Sequence, residues 1–459
     1  MYKNHSMARL IPVSLIITIL SLNISAAQED EILQMLGEDR PFHAVTASQF
    51  EQLGWDLPDA GATVKALADA APGFALDPRE LARQPADKLG YNASWHEIRY
   101  PVYGMDWDIS GLYLVPTNPL PNMPTMVIVH GGSSNWYEFY VDPLNHPGIG
   151  QYLAQKIPVL LVTIPGNYRH GGWSESQEYG KRVPGYLLDR DVTGDELKVR
   201  NAVYTFRIVT DGVKKLIQQV TTGPVVIIGH STGGEIQFIL HDDPDLKSRM
   251  LGLSLGWGTG GPASLDVMKQ FRGNRTADDY LDVWEVRPRP TEGYTRGYLG
   301  PLNPVWDPDK TRLEVAEHWQ GLERRRRPNF KQPLQDIEHN SADNLLEHVT
   351  TQIRQVVGES GFDVNTDEVI ADLFSTMRAS HTGYNRMIWT TSKLDDGHWN
   401  DNISEARELL IANEFRQKNP GVPIRVLLFD VPMTHYGHIE KPKQLAGGLL
   451  AALKWLVGS

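Results

Sequence analysis

The chain has 459 residues, 41% hydrophobic and 22% charged, with a formal net charge of −12 and no cysteine. Its length allows a large buried core and its balance excludes wholesale disorder. The acidic charge makes nucleic acid and anionic membrane surfaces poor partners, and the lack of thiols excludes disulfides and thiolate metal sites.

Residues 1–27 read as a cleaved secretory signal. Lys3 and Arg9 form the basic start, Leu10 to Leu22 the apolar stretch, and Ser25-Ala26-Ala27 the small residues before a cut at Gln28. The apolar stretch is shorter than the roughly 20 residues a membrane span needs, so a secreted or periplasmic protein without stable membrane association is expected.

Residues 28–93 are expected to form an N-terminal helical extension, with short helices at Glu31 to Leu36, Ala47 to Leu53 and Ala62 to Ala70. The first part of the main domain, 94–261, opens with two β-prone runs, Trp95 to Tyr103 and Trp107 to Val115, separated by Gly104 and Met105; they predict an antiparallel hairpin. Thr125 to His130 and Val159 to Ile164 predict buried strands flanking a helix at Gly148 to Lys156. Asp195 to Val220 predicts one long amphipathic helix, with Val199, Val203, Phe206, Val209, Val213, Leu216, Ile217 and Val220 on its apolar face.

The next stretch runs Pro224-Val225-Val226-Ile227-Ile228-Gly229-His230-Ser231-Thr232-Gly233-Gly234. A β-branched run ends in G-x-S-x-G, and Glu235 to His241 reads as a helix, giving strand, sharp turn and helix. Glycines at 229 and 233 remove side chains where strand and helix approach, which leaves Ser231 exposed at the end of the strand. A second match, Gly252-Leu253-Ser254-Leu255-Gly256, is followed by the loop signal Trp257 to Pro262, so context selects Ser231. Arg249 to Leu255 is the next predicted strand. Such βαβ alternation specifies an α/β fold with a mostly parallel, doubly wound sheet and its site at the carboxyl ends of the strands.

Between 262 and 384 only helices are predicted: Thr311 to Glu323, with Thr311 and Glu314 as a capping box, Ala342 to Val357, and Asp367 to Arg378 capped by Thr366. A stretch of roughly 120 residues is too long for a connection, so a helical cap is expected. The second part of the main domain, 385–459, resumes with a strand at Arg386 to Thr391, a helix at Ser404 to Gln417, a strand at Ile424 to Val431 and a closing helix at Pro442 to Val457.

Three motifs together resemble the α/β-hydrolase superfamily, and within it the capped, secreted serine esterase-like members. They are Val127-Ile128-Val129-His130-Gly131-Gly132, Gly229-His230-Ser231-Thr232-Gly233 and His435-Tyr436-Gly437-His438-Ile439-Glu440-Lys441-Pro442. The resemblance spans about Trp95 to Gly458 and leaves the cap and the extension unmatched. It implies that the base lies in the loop after the last strand, five residues before a Glu-x-Pro, which selects His435 with His438 as the alternative. It implies that the acid follows the strand at Met387 to Thr391. Ser392-Lys393-Leu394-Asp395 is similar to the family's G-x-x-D with the glycine replaced, which selects Asp395 with Asp396 as the alternative.

The main-chain N–H of Thr232, directly after the nucleophile, is the expected first oxyanion donor, and the turn after His130-Gly131 is expected to supply the other from Gly132, with Ser133 in reserve. Trp136, Tyr137, Phe139 and Tyr140 either wall an acyl pocket or pack beneath the cap. The expected activity is hydrolysis of a small-molecule carboxylic ester through an acyl-enzyme, without cofactor or metal. An acyltransferase, a peptidase using the same triad and a non-catalytic ligand-binding protein of this fold are the alternatives. A serine at the elbow argues against dehalogenase or epoxide hydrolase chemistry, for which this superfamily uses a carboxylate nucleophile.

Overall fold

The structure, a computed structural model, describes residues 42–45, 60–70, 76–130, 136–141, 146–165, 196, 199–200, 202–230, 233, 236, 240, 243–251, 253–255, 343–375, 387–392, 424–429 and 437–457. The expected signal segment and the helices expected at Glu31 to Leu36, Ala47 to Leu53, Thr311 to Glu323 and Ser404 to Gln417 lie outside the described residues.

The expected hairpin is present and longer than its sequence signal. Strands β2 (Tyr91–Val102) and β3 (Met105–Pro116) pair antiparallel from Tyr91↔Pro116 to Val102↔Met105, which leaves Tyr103 and Gly104 as a two-residue turn. Both sit at positive φ, 59° and 82°, the turn geometry that matches strand twist. Tyr103 is not a glycine, and side-chain contacts hold it there: its buried hydroxyl donates to Asp372 Oδ2 at 2.7 Å and accepts from the Thr205 hydroxyl at 2.6 Å.

Six further strands follow: β4 (Thr125–Val129), β5 (Val159–Thr163), β6 (Val225–Gly229), β7 (Leu253–Leu255), β8 (Met387–Ser392) and β9 (Ile424–Phe429). With β1 (Phe42–Val45) they make a nine-stranded sheet ordered β1-β9-β8-β7-β6-β4-β5-β3-β2. Strand β3 runs against both its neighbours, and every other pair is parallel. The central strands β4, β5 and β6 are buried along their whole length, which is why they read as unbroken apolar runs and not as alternating ones.

The N-terminal stretch, expected to form an extension of short helices, also contributes a strand to the sheet. It holds helices α1 (Ala60–Ala70), α2 (Pro78–Ala82) and α3 (Ala86–Leu89), but also β1, which pairs in parallel with β9 from Phe42↔Val426 to Val45↔Phe429. Four residues carry too little periodicity to signal a strand, and the partner that makes it one lies near the far end of the chain.

Helices cover both faces. On one, Val127, Val129, Leu160, Val162, Val225 and Ile227 meet Ile208, Val209, Val213, Leu216 and Ile217 of α6 (Phe206–Val220). Helices α7 (Asp343–Ser360) and α8 (Thr366–Ser375) join the same apolar cluster through Ile353, Val357 and Val369. These two helices fall within the stretch expected to form the cap, and residues 262–342 lie outside the described residues. On the other face Met126, Ile128, Val159, Leu161, Val226 and Ile228 meet α4 (Trp136–Tyr140), α5 (Ile149–Ala154) and α10 (Pro442–Val457). Alternate residues of each strand thus enter different clusters, as the two-residue period of a strand requires.

The single helix expected from Asp195 to Val220 is interrupted. Residues 196, 199, 200 and 202 are helical, but Thr205 is extended (φ −114°, ψ 169°) and stands as the N-cap of a new helix, α6. The Thr205 hydroxyl gives α6 no capping bond and meets Tyr103, while the Tyr204 hydroxyl donates to the carbonyl of Pro165 at 2.6 Å. Contacts from elsewhere in the chain override the helical period here.

Candidate active site

Strands β4, β6, β7, β8 and β9 are parallel, so their carboxyl ends share one edge of the sheet. Four of the loops expected to carry chemistry start from these ends: 131–135 after β4, 230–233 after β6, 393 onward after β8, and 430–436 after β9.

The turn after β6 is laid on the end of β4. The N–H of His230 donates to the Val129 carbonyl at 2.9 Å, and that of Gly233 closes the turn on the His230 carbonyl, also at 2.9 Å. A Cβ on Gly233 would collide with the carbonyl oxygens of Val129 and His130, which are main-chain atoms of a central strand and cannot move aside cheaply. Beyond the turn, residues 236 and 240 are helical and their side chains, Ile236 and Leu240, are buried in the first cluster. The described residues on either side of Ser231 and Thr232 therefore have the strand, tight turn and helix that G-x-S-x-G requires. The second match differs: Ser254 sits inside β7, opposite Ile228 of β6 and Ile388 of β8.

His130, fully buried at the end of β4, accepts the N–H of Ile164 on Nε2 at 3.0 Å. The imidazole is therefore neutral and carries its proton on Nδ1. The bond joins the ends of β4 and β5 at the start of the loop expected to supply an oxyanion donor.

That loop leads into α4, whose first N–H, from Trp136, donates to Thr163 Oγ1 at 3.1 Å. Trp136, Tyr137, Phe139 and Tyr140 are all buried in the second apolar cluster; the Tyr140 and Tyr91 hydroxyls lie 2.7 Å apart. Among these rings stands one carboxylate, Glu138, also buried. Its Oε1 lies 2.8 Å from Nε2 of His438, on the short helix α9 (Gly437–Glu440). The His438 ring is 0% exposed, stacks on Phe139 (centroids 4.7 Å apart, 28° between planes), and lies 4.6 Å from the His230 ring. Phe139 meets His230 edge-on at 6.0 Å.

Of the expected site residues, His438 is the one whose side chain is placed, and it lies in the core. Ser231, Thr232, Gly132, Ser133, Asp395, Asp396 and His435 lie outside the described residues. Sequence reasoning missed Glu138. Its signal was a lone charged residue in the otherwise aromatic run Trp136-Tyr137-Glu138-Phe139-Tyr140, an arrangement that demands a buried partner.

A sheet with one reversed strand near its edge, parallel strands elsewhere, helices on both faces and a glycine-pinned turn at the centre defines the doubly wound hydrolase architecture. The chain belongs to the alpha/beta hydrolase family, whose sequence profile matches residues 126–446. A comparison with curated proteins finds no match. Among solved structures, the chain is similar to a membrane phospholipase A described as a bacterial virulence factor, at 14% identity and a TM-score of 0.41, over 89% of this chain and 96% of that one. It is similar to the N-acyl homoserine lactonase AidH at 14% identity and 0.42, over 80% and 99%. It is also similar to the haloalkane dehalogenase DbeA of Bradyrhizobium elkani at 11% identity and 0.42, over 80% and 99%. Likenesses at this level identify no substrate, and chemistry has to be argued from the site.

Proposed function

We propose that this protein is a serine hydrolase that cleaves a small-molecule carboxylic ester through an acyl-enzyme. Ser231 attacks the carbonyl carbon, His435 takes the hydroxyl proton and later returns it to the leaving group, and Asp395 holds the imidazole in the productive tautomer. The N–H groups of Gly132 and Thr232 receive the oxyanion, and water releases the acid. Each such donor stabilises the transition state by about 3 kcal/mol.

The observation that carries this reading is the pinned turn: His230 hydrogen-bonds to the end of β4, Gly233 closes the turn on the His230 carbonyl, and Gly233 packs so close to Val129 and His130 that it has no room for a side chain. The assignment of His435 over His438 is supported by His438's surroundings. A triad base turns Nε2 toward the serine, whereas Nε2 of His438 is engaged by Glu138 in a fully buried position. The signal-like segment adds that the enzyme works in the periplasm or outside the cell.

The test is turnover of p-nitrophenyl butyrate by the purified mature chain and its variants. Ser231→Ala and His435→Ala each lower kcat by on the order of a millionfold, as expected of residues acting as a unit. Turnover surviving in Ser231→Ala, or lost to that degree in His438→Ala but not in His435→Ala, contradicts the assignment.

A further inference from the structure

We infer that Glu138 and His438 act as one positioning pair, fastening the loop that carries the base to the helix that follows the oxyanion turn. The inference rests on the serine hydrolase reading and adds two residues to it.

Three observations meet at the pair. Its members are 300 positions apart, both buried, and joined Oε1 to Nε2 at 2.8 Å. A carboxylate buried on a helix whose other residues all belong to an apolar cluster is strongly disfavoured unless a partner satisfies it, so the geometry of the two residues is tightly specified. Each member also adjoins a loop with an assigned part: Glu138 lies in α4, which begins directly after 131–135, and His438 lies in α9, which begins directly after 430–436. The third observation is His230, the residue before Ser231, whose ring lies 4.6 Å from that of His438 and 6.0 Å from Phe139. One buried contact thus draws together the flanks of the base loop, the oxyanion turn and the nucleophile turn. Neither side chain is exposed enough to meet substrate, so the pair acts through the residues it positions.

The consequence is a defect in the chemical step and not in binding. The experiment measures kcat and KM for p-nitrophenyl butyrate, with kinact and KI for phosphonylation by a fluorophosphonate, alongside thermal midpoints. Glu138→Ala and His438→Ala each lower kcat and kinact about 10- to 100-fold, the scale of a sub-ångström to 1 Å misplacement. KM and KI stay within about threefold, since uniform binding is not what is lost. The double alanine variant is no slower than the slower single, and Glu138→Gln, which keeps an acceptor in place, recovers most of the rate.

Should the alanine variants fail to fold, the joint replacement Glu138→Leu with His438→Phe removes both members of the bond together, keeps the core filled and still lacks the link. Its midpoint stays near wild type while kcat falls. Wild-type kcat in that variant, losses that multiply in the double alanine variant, or no recovery with Glu138→Gln overturns the pair. Turnover retained by Ser231→Ala overturns the hydrolase reading and the pair's role with it. Turnover abolished there, with kcat unchanged in the pair variants, overturns the pair alone.

Discussion

The carbonyl oxygen of His130 occupies the space where a Cβ on Gly233 would go, while the N–H of Gly233 turns back to the carbonyl of His230 at 2.9 Å. The contact fixes the nucleophile turn to a central strand and explains why position 233 must be glycine. Gly233→Ala forces the two apart and is expected to lower stability by about 1–3 kcal/mol, with loss of turnover. Gly358, inside α7 with open space around it, is the control: Gly358→Ala should stabilise by about 0.5–1 kcal/mol. Urea midpoints of the two variants measure both effects, and equal shifts would contradict the close approach.

Arg207 ties α6 to α8. Its guanidinium pairs with Glu368 and with Asp372 at 2.9 Å, reaches Asp211 at 3.5 Å, and lies 5.5 Å from the Tyr103 ring centroid. The group is 36% exposed, so solvent screens it, and Arg207→Ala is expected to cost only about 1 kcal/mol. The amides of α8 exchange faster in that variant, and the difference from wild type shrinks as salt is raised. Hydrogen exchange of residues 366–375 at low and high ionic strength checks both.

The ion pair of Arg200 with Glu196 behaves differently because it is dry: their side chains are 2% and 6% exposed, at 2.9 Å. Arg200 also donates to the Asp106 carbonyl at 2.6 Å and lies over the Trp107 ring at 5.0 Å. Removing the cation takes its ion-pair partner from a buried carboxylate, so Arg200→Ala should lower stability by about 3–5 kcal/mol. Glu196→Gln, which keeps a hydrogen-bonding acceptor, should cost less, about 1–3 kcal/mol. A smaller loss in Arg200→Ala than in Arg207→Ala would show the burial argument to be wrong.

Alkaline pH should unfold the protein through its buried phenols. Burial pushes the hydroxyls of Tyr91, Tyr100, Tyr103 and Tyr140 well above the ordinary tyrosine range, with Asp372 adding to the rise at Tyr103. A folded-state pKa raised above the unfolded one contributes stability that is complete below about pH 10 and is lost as pH climbs toward the folded value. The thermal midpoint should therefore fall above that pH, and phenolate absorbance near 295 nm should show these tyrosines ionising only as the protein unfolds. Ionisation of all the tyrosines near pH 10 with the fold intact would contradict their burial.

What the sequence made legible follows from how local each signal is. The strands at β4, β5 and β6 were readable because burial on both faces demands continuous apolar runs, and the hairpin because its two β-prone runs meet at Gly104. The nucleophile turn was separable from its near-copy at Ser254 because flanking residues distinguish a helix start from a loop. Strand β1, the break at Thr205 and the Glu138–His438 contact were not readable, since each depends on a partner far away in the chain: β9, Tyr103 and one another. Glu138 left a trace as an isolated charge among aromatics, without a pointer to the histidine that answers it.

The central claim is that one serine, at 231, is the nucleophile, and covalent labelling tests it most directly. The mature protein is treated with a fluorophosphonate and digested, and the modified peptide is mapped by mass spectrometry. The account predicts a single phosphonylated residue, Ser231, with no labelling in Ser231→Ala. Modification of Ser254 or another residue, or an unmodified Ser231 in a folded sample, would contradict it.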